Sequence, residues 1–140
     1  MVETLTDKQI KELVEAARKV RNMAYAPYSD FLVGAAALGV DGKIYTGCNV
    51  ENVSYGLTIC AERTAVFKSV SEGNKGFRAL AIYAETERYC APCGACRQVI
   101  AEFGRGTVVI QVNKHGGYIQ NTIEELLPAG FMADNLERGL

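Results

Sequence analysis

Two short stretches hold most of the reactive side chains of this 140-residue chain: 58-TICAERTAV-66 and 90-CAPCGACRQV-99. Cys93 and Cys96 form a C-x-x-C pair, which puts two sulfurs at one helix start, where free backbone N–H groups stabilise thiolates. Cys60 opens a second predicted helix. If those helices lie side by side on a sheet, three thiolates converge. Zinc held by three protein ligands keeps a fourth position for water, the arrangement of a catalytic site rather than a structural one. Glu62 follows Cys60 by two residues, close to such a metal but not needed as a ligand. A carboxylate there can take and return the proton of a zinc-activated water. Three thiolates around a dication leave net negative charge, and Arg63 and Arg97, each next to a ligand cysteine in sequence, are expected to offset it together with the helix dipoles.

Other chemistry uses the same residues. A single C-x-x-C also serves as half of a structural zinc site or as a redox pair, and Cys90 extends it to C-x-x-C-x-x-C, a spacing found in iron–sulfur ligation. Pro92 argues against a three-cysteine run, because it keeps the chain before Cys93 extended. Cys90 and Cys48 therefore read as small buried thiols. His115, the single histidine, lies in 113-NKHGGY-118, a predicted turn, and is expected to face solvent rather than to pair with a nucleophile.

The elements that must position these groups follow from patterning. Thr6 and Gln9 match a capping box, and Ile10, Leu13, Val14, Ala17 and Val20 recur at helical spacing. That helix should fade near Tyr25, ahead of Pro27. The apolar run 31-FLVGAAALGV-40 and the segment 43-KIYTGCNV-50 flank Asp41-Gly42, a hairpin signal. A helix is expected from about Cys60 to Ser71 with Gly73 at its C-terminal cap, then a buried strand at 77-FRALAIYA-84. A helix from Pro92 to about Phe103, a strand at 107-TVVIQVN-113 and a short strand near 118-YIQ-120 come next. Thr122 and Glu125 make a second capping box on a short helix that Pro128 ends. The order α-β-β-α-β-α-β-β-α predicts a mixed sheet between helices. About ten residues separate most elements, which suits a single domain over 1–140. The tail 132-MADNLERGL-140 matches no pattern and is expected to be mobile.

Composition narrows the function. Fifteen basic and sixteen acidic side chains give a net charge of −1, and 22% of residues are charged. That balance argues against a nucleic-acid footprint and leaves an uncharged small molecule open. No apolar run reaches the roughly 18 residues of a membrane span, and the amphipathic N-terminus lacks the apolar centre of a signal peptide. A cytoplasmic location is expected, where five cysteines favour thiols or metal ligands over disulfides.

C-A-E followed about thirty residues later by P-C-x-x-C resembles the signature of zinc-dependent nucleoside and nucleobase deaminases, with Cys60 in place of histidine. That variant resembles the small homotetrameric cytidine deaminases. So do 27-PYSDFLVGAAAL-38, 47-GCNVENVSYGLTICAERTA-65, 92-PCGACRQV-99 and 126-LLPAGF-131, which together span nearly the whole chain. The resemblance implies a three-layer α/β/α sandwich around a mixed five-stranded sheet. It implies one zinc ion per subunit on Cys60, Cys93 and Cys96, with Glu62 as proton shuttle. Asn49 and Glu51 would grip the ribose hydroxyls, Phe31 would line the nucleoside pocket, and the Ala61 backbone would meet the polar edge of the pyrimidine. Phe131 would reach into a neighbouring subunit's pocket, with Tyr55 approaching substrate across a subunit boundary. The implied reaction is hydrolytic deamination of cytidine and deoxycytidine in pyrimidine salvage. Strand alternation independently puts Asn49 and Glu51 on one side of the chain, and an amide with a carboxylate suits sugar hydroxyls.

Overall fold

The computed structural model describes residues 4–136. Helix α1 (Asp7–Arg21) starts at the expected capping box: the Thr6 hydroxyl accepts from the Gln9 backbone N–H, and the Gln9 side chain accepts from the Thr6 N–H. Ile10, Leu13 and Ala17 form its buried stripe. The helix stops at Arg21, four residues before Tyr25. Tyr25 is drawn into extended pairing instead, donating its N–H to the Asn49 carbonyl and accepting from the Glu51 N–H.

Five strands build one sheet: β1 (Val33–Gly39), β2 (Ile44–Cys48), β3 (Phe77–Ala84), β4 (Val108–Val112) and β5 (Tyr118–Thr122). Their spatial order is β2-β1-β3-β4-β5. Only β3 and β4 run parallel, as they must, because helix α3 (Gly94–Phe103) crosses between them. The other three pairings are antiparallel. The β1–β2 hairpin turns at Val40-Asp41-Gly42, with only Gly42 at positive φ (84°) and its N–H bonded to the Gly39 carbonyl. It is longer than the two-residue turn that Asp-Gly most often signals.

Every residue of β1 is buried, because helices cover both faces of the sheet. Ala36, Leu38, Ala79, Ala81, Tyr83, Ile110 and Val112 point towards the buried side of α1. Val33, Ala35, Ala37, Leu80, Ile82, Ala84 and Val109 point the other way, onto helix α2 (Ala61–Ser71), α3 and the short α4 (Ile123–Leu126). The strict alternation of these two sets is the period-2 geometry of a strand read against two helical layers. A three-layer α/β/α sandwich on a mixed sheet results, as expected. Gly73 ends α2 at φ 96°, and Thr122 and Glu125 form the second capping box, on α4. Two short 3₁₀ turns, Tyr55–Leu57 and Ala133–Leu136, have no counterpart in the sequence reading. The second lies inside the stretch expected to be a patternless tail, of which 137–140 fall outside the described residues. Among the described residues no helix is long and apolar enough to cross a membrane.

The helices approach the sheet closely enough to require two glycines. A Cβ at Gly34 would stand 2.0 Å from the Ala17 carbonyl oxygen on α1, and one at Gly47 would stand 2.4 Å from the Ala65 nitrogen on α2. Both obstacles are backbone, so neither can swing aside. Overpacking of this kind costs about 1–3 kcal/mol. Gly47→Ala is therefore expected to shift the urea unfolding midpoint down by an amount in that range. Gly56→Ala, with open space around its site, should leave the midpoint within experimental scatter, and equal midpoints for both would contradict this packing.

Candidate active site

Cys60 and Cys93 occupy equivalent places. Each is the N-cap residue of its helix, in extended conformation (φ −77°, ψ 156° and φ −67°, ψ 167°), and neither uses its side chain to cap. The sulfurs are thus left free at the positive ends of two helix dipoles. Cys96, in the first turn of α3, is fully buried. Because α2 and α3 lie side by side on the same face of the sheet, the two helix starts meet.

The three Sγ atoms lie within 4.8 Å of one another, with Cys60–Cys93 at 3.8 Å and Cys93–Cys96 at 3.4 Å. No disulfide joins them. A tetrahedral zinc with Zn–S bonds of about 2.3 Å needs sulfurs about 3.8 Å apart, so the donor set fits that ion. The charge distribution suits it as well. The Cys60 thiol is held down to about 5 by hydrogen bonding with Cys96 and by the Arg63 guanidinium, which outweigh its burial. Arg63 Nη2 donates to Cys60 Sγ at 3.2 Å. Arg63 Nε is buried with no partner among the described residues.

Arg97 behaves differently from the expectation placed on it. Its Nε donates to the Pro92 carbonyl at 2.9 Å and its Nη1 to the Leu126 carbonyl at 2.8 Å. It braces the entry to α3 against the end of α4, and its hydrogen bonds go to backbone rather than to a sulfur.

Glu62 lies in the first turn of α2 and is only 4% exposed. Burial pushes its carboxyl up to about 7, and the neighbouring Cys60 charge adds to that against Arg63 and Cys96, which pull down. It opens with Cys60, Ala61 and Cys93 into a cavity of about 280 Å³, whose opposite wall includes Phe31, Asn49 and Glu51. Phe31 is half-exposed. Asn49 is buried and holds the Phe31 loop by both ends of its amide: Nδ2 donates to the Phe31 carbonyl at 2.8 Å, and Oδ1 accepts from the Val33 N–H at 2.9 Å. Strand β2 ends at Cys48, but Val50 stays extended, bridged to Tyr25 and Ile59, so Asn49 and Glu51 keep their common side.

Tyr55 and Phe131 stand outside this cavity. Tyr55 is 74% exposed, tilted against the Tyr28 ring at a centroid distance of 5.8 Å, and lines an adjoining hollow with Glu51 and Thr58. Phe131 is 61% exposed, its carbonyl accepting from Gln98. Cys90 lies outside the three-sulfur cluster, as Pro92 indicated, yet it lines the cavity and burial pushes its thiol up to about 12. Cys48 is half-buried on β2. His115 is exposed, 3.0 Å from Glu87. Ser29, Thr58, Ile59 and Ala91 also line the cavity and went unnoticed in the sequence. Of these Ser29 alone had a signal, a hydroxyl in the turn after Pro27.

Residues 7–112 match the family model described as the cytidine and deoxycytidylate deaminase zinc-binding region. The chain belongs to that family. It is 50% identical over 128 residues to the cytidine deaminase of Sporosarcina psychrophila, covering 91% of this chain and 94% of that one. It is 48% identical to the cytidine deaminase of Halalkalibacterium halodurans, over 93% of this chain and 98% of the relative. The crystal structure of cytidine deaminase from Burkholderia pseudomallei superposes with a TM-score of 0.83 at 46% identity, covering 91% of this chain and all (100%) of that one. A zinc-binding family and a three-cysteine donor set agree on the cofactor: one Zn²⁺ per chain.

Removing one sulfur should remove the ion, because two thiolates rarely retain zinc against solvent. Elemental analysis should find about one zinc per chain in the parent protein and close to none in Cys93→Ala. Cys90→Ala should keep the full complement. Stoichiometric zinc in Cys93→Ala would take that residue out of the site.

Proposed function

We infer that the chain hydrolyses the 4-amino group of cytidine and deoxycytidine, releasing ammonia and the corresponding uracil nucleoside. One observation carries this reading: a buried carboxyl, Glu62, which burial pushes up to about 7, opens into the same cavity as a three-cysteine donor set, and three protein ligands leave a tetrahedral zinc one place for water. Zinc, when bound by Cys60, Cys93 and Cys96, supplies a Lewis acid that makes water easier to deprotonate.

The chain's own residues do the remaining work. Glu62 takes a proton from the attacking water and gives it to N3 of the pyrimidine, which leaves C4 open to attack. It then moves a second proton, taken from the new C4 hydroxyl, to the departing amine, which leaves as ammonia as the C4 carbonyl forms. A carboxyl pushed up to about 7 suits both directions of transfer near neutral pH. The Ala61 N–H, at the start of α2, donates to the polar edge of the base. Phe31 covers the nucleoside, while Asn49 and Glu51 receive the sugar hydroxyls. One Nδ2 hydrogen of Asn49 is committed to Phe31, which leaves the other for a hydroxyl. Arg63 offsets thiolate charge.

The family spans nucleosides and the 5′-monophosphate, and the cavity favours the nucleoside. Its lining carries two carboxylates, Glu51 and Glu62, and no Lys, Arg or His. A phosphate dianion on the sugar side would meet the Glu51 carboxylate with no basic side chain in the lining to offset it. Phe131 and Tyr55 are too exposed to serve the pocket of their own chain, which suits a homotetramer whose active sites are shared across subunit boundaries. The reading includes a cytoplasmic location in pyrimidine salvage and no nucleic-acid partner.

Proton shuttling contributes about 10²–10⁴-fold to rate. Glu62→Gln should remain folded and zinc-loaded, with cytidine turnover reduced by at least that factor in an ultraviolet absorbance assay. Near-parental turnover would reject the role. In the same assay, deoxycytidine should be consumed and deoxycytidylate spared; comparable kcat/KM on both would overturn the nucleoside assignment.

A further inference from the structure

The Glu51 carboxylate does not stand free in the cavity wall. Its Oε1 accepts two backbone N–H groups, from Tyr28 at 3.0 Å and Ser29 at 3.1 Å. Its Oε2 accepts the Ser29 hydroxyl. Ser29 Oγ in turn accepts the Phe31 N–H at 3.1 Å. One hydroxyl therefore joins the two parts of the wall: the carboxylate on the strand extension after β2 and the aromatic ring on the loop before β1. A carboxylate has about four acceptor positions, and three of those on Glu51 are occupied by this loop. The remaining one is on Oε2, the oxygen that Ser29 holds.

The loop is shaped for this contact. Asp30, the residue after Ser29, has φ 57°, a left-handed conformation that only Gly, Asn and Asp adopt readily. It donates its N–H back to the Ala26 carbonyl at 3.0 Å. Asn49 fixes the far end of the loop through Phe31 and Val33. A backbone in that conformation persists where its surroundings over-determine it. The Ser29 hydrogen bond also holds Glu51 below the usual carboxylate range, so the group stays ionised, and a pure acceptor, throughout the neutral range.

We propose that Ser29 is a positioning residue for the sugar: its hydroxyl aims the one open acceptor position of Glu51 at a nucleoside hydroxyl. The inference rests on the reading of the cavity as a nucleoside pocket and deepens it. Ser29 itself does not touch the reacting atoms. It acts on recognition of the ribose through Glu51, so its effect belongs in KM rather than in kcat.

The test compares cytidine with 2′,3′-dideoxycytidine, which offers the same base and no ring hydroxyl to Glu51, in the zinc-loaded full chain. Ser29→Ala should raise KM for cytidine about tenfold with kcat nearly unchanged, the pattern of a lost charge-assisted contact made equally in ground and transition states. The same substitution should leave kcat/KM for 2′,3′-dideoxycytidine within about twofold of the parent. Ser29→Thr keeps the hydroxyl and should restore most of the cytidine KM. Equal losses on both nucleosides would mean that Ser29 only shapes the loop, and no loss on either would mean that Glu51 is aimed without it; both results overturn the proposal. If Ser29→Ala fails to fold, Ser29→Gly carries the same comparison, with the same expected and contrary results. A zinc-loaded parent protein that turns over neither nucleoside would overturn the nucleoside reading itself and this inference with it, whereas an active parent confines any failure to Ser29.

Discussion

Three sulfur atoms within 4.8 Å of one another are the constraint to which the rest of this chain answers. As bare thiolates they would repel strongly at that distance. As thiols they would give no useful metal site. The fold resolves this by bringing favourable potential to the sulfurs before any ion arrives. Two helices begin at cysteine, each with its unpaired N–H groups facing the cluster, and Arg63 donates to Cys60 from one turn further along α2. The negative charge settles on Cys60, and Cys96 keeps its proton because Cys60 and Glu62 lie close and its site is buried. Zinc, when bound by Cys60, Cys93 and Cys96, would complete the balance, because its thiol ligands bind deprotonated. The same surroundings raise Glu62: a carboxyl buried next to thiolate charge resists ionisation.

Bringing two helix starts to one point is a task for the sheet. Helices α2 and α3 pack on the face formed by Val33, Ala35, Ala37, Leu80, Ile82 and Val109, and small residues along β1 let them sit close. Gly47 brings α2 onto β2, and Gly34 lets α1 approach the opposite face. The parallel β3–β4 pair dictates where α3 must start, since a crossover helix returns along the sheet from the end of β3. Arg97 then fixes that start, gripping Pro92 on one side and Leu126 on the other. The metal site is thus held by the middle layer of the fold. The other wall of the cavity is held by side chains on loops, chiefly Asn49 and Glu51.

Much of this was legible in the residues themselves. Both capping boxes and the strand at 77–84 follow from local rules: hydrogen-bond satisfaction at helix ends and the period of apolar positions; the helix expected from Pro92 begins two residues later, at Gly94, with Cys93 as its N-cap. The cluster of Cys60, Cys93 and Cys96 was legible although Cys60 and Cys93 lie 33 residues apart, because C-x-x-C is a local pattern and C-A-E followed by P-C-x-x-C resembles a deaminase signature. What escaped depends on contacts between distant segments. Arg97 is adjacent to a ligand in sequence, but on a helix adjacency means a 100° turn, and its guanidinium ends at α4. The Ser29–Glu51 contact joins residues 22 apart, and no pattern in either segment announces it. Helix α1 ends at Arg21 because Tyr25 is claimed by Asn49 and Glu51, a tertiary pairing that overrides the local expectation. The turn at 133–136 rests partly on the Asn135 side chain accepting from the Met132 N–H, a signal too short to separate from a loop.

Three cysteine ligands leave a tetrahedral zinc one position for a small oxygen ligand. X-ray absorption at the zinc edge of the purified protein tests it directly. The expected result is three sulfur neighbours at about 2.3 Å and a single oxygen or nitrogen at about 2.0–2.1 Å. Four sulfurs, or two sulfurs with two light-atom protein ligands, would contradict it.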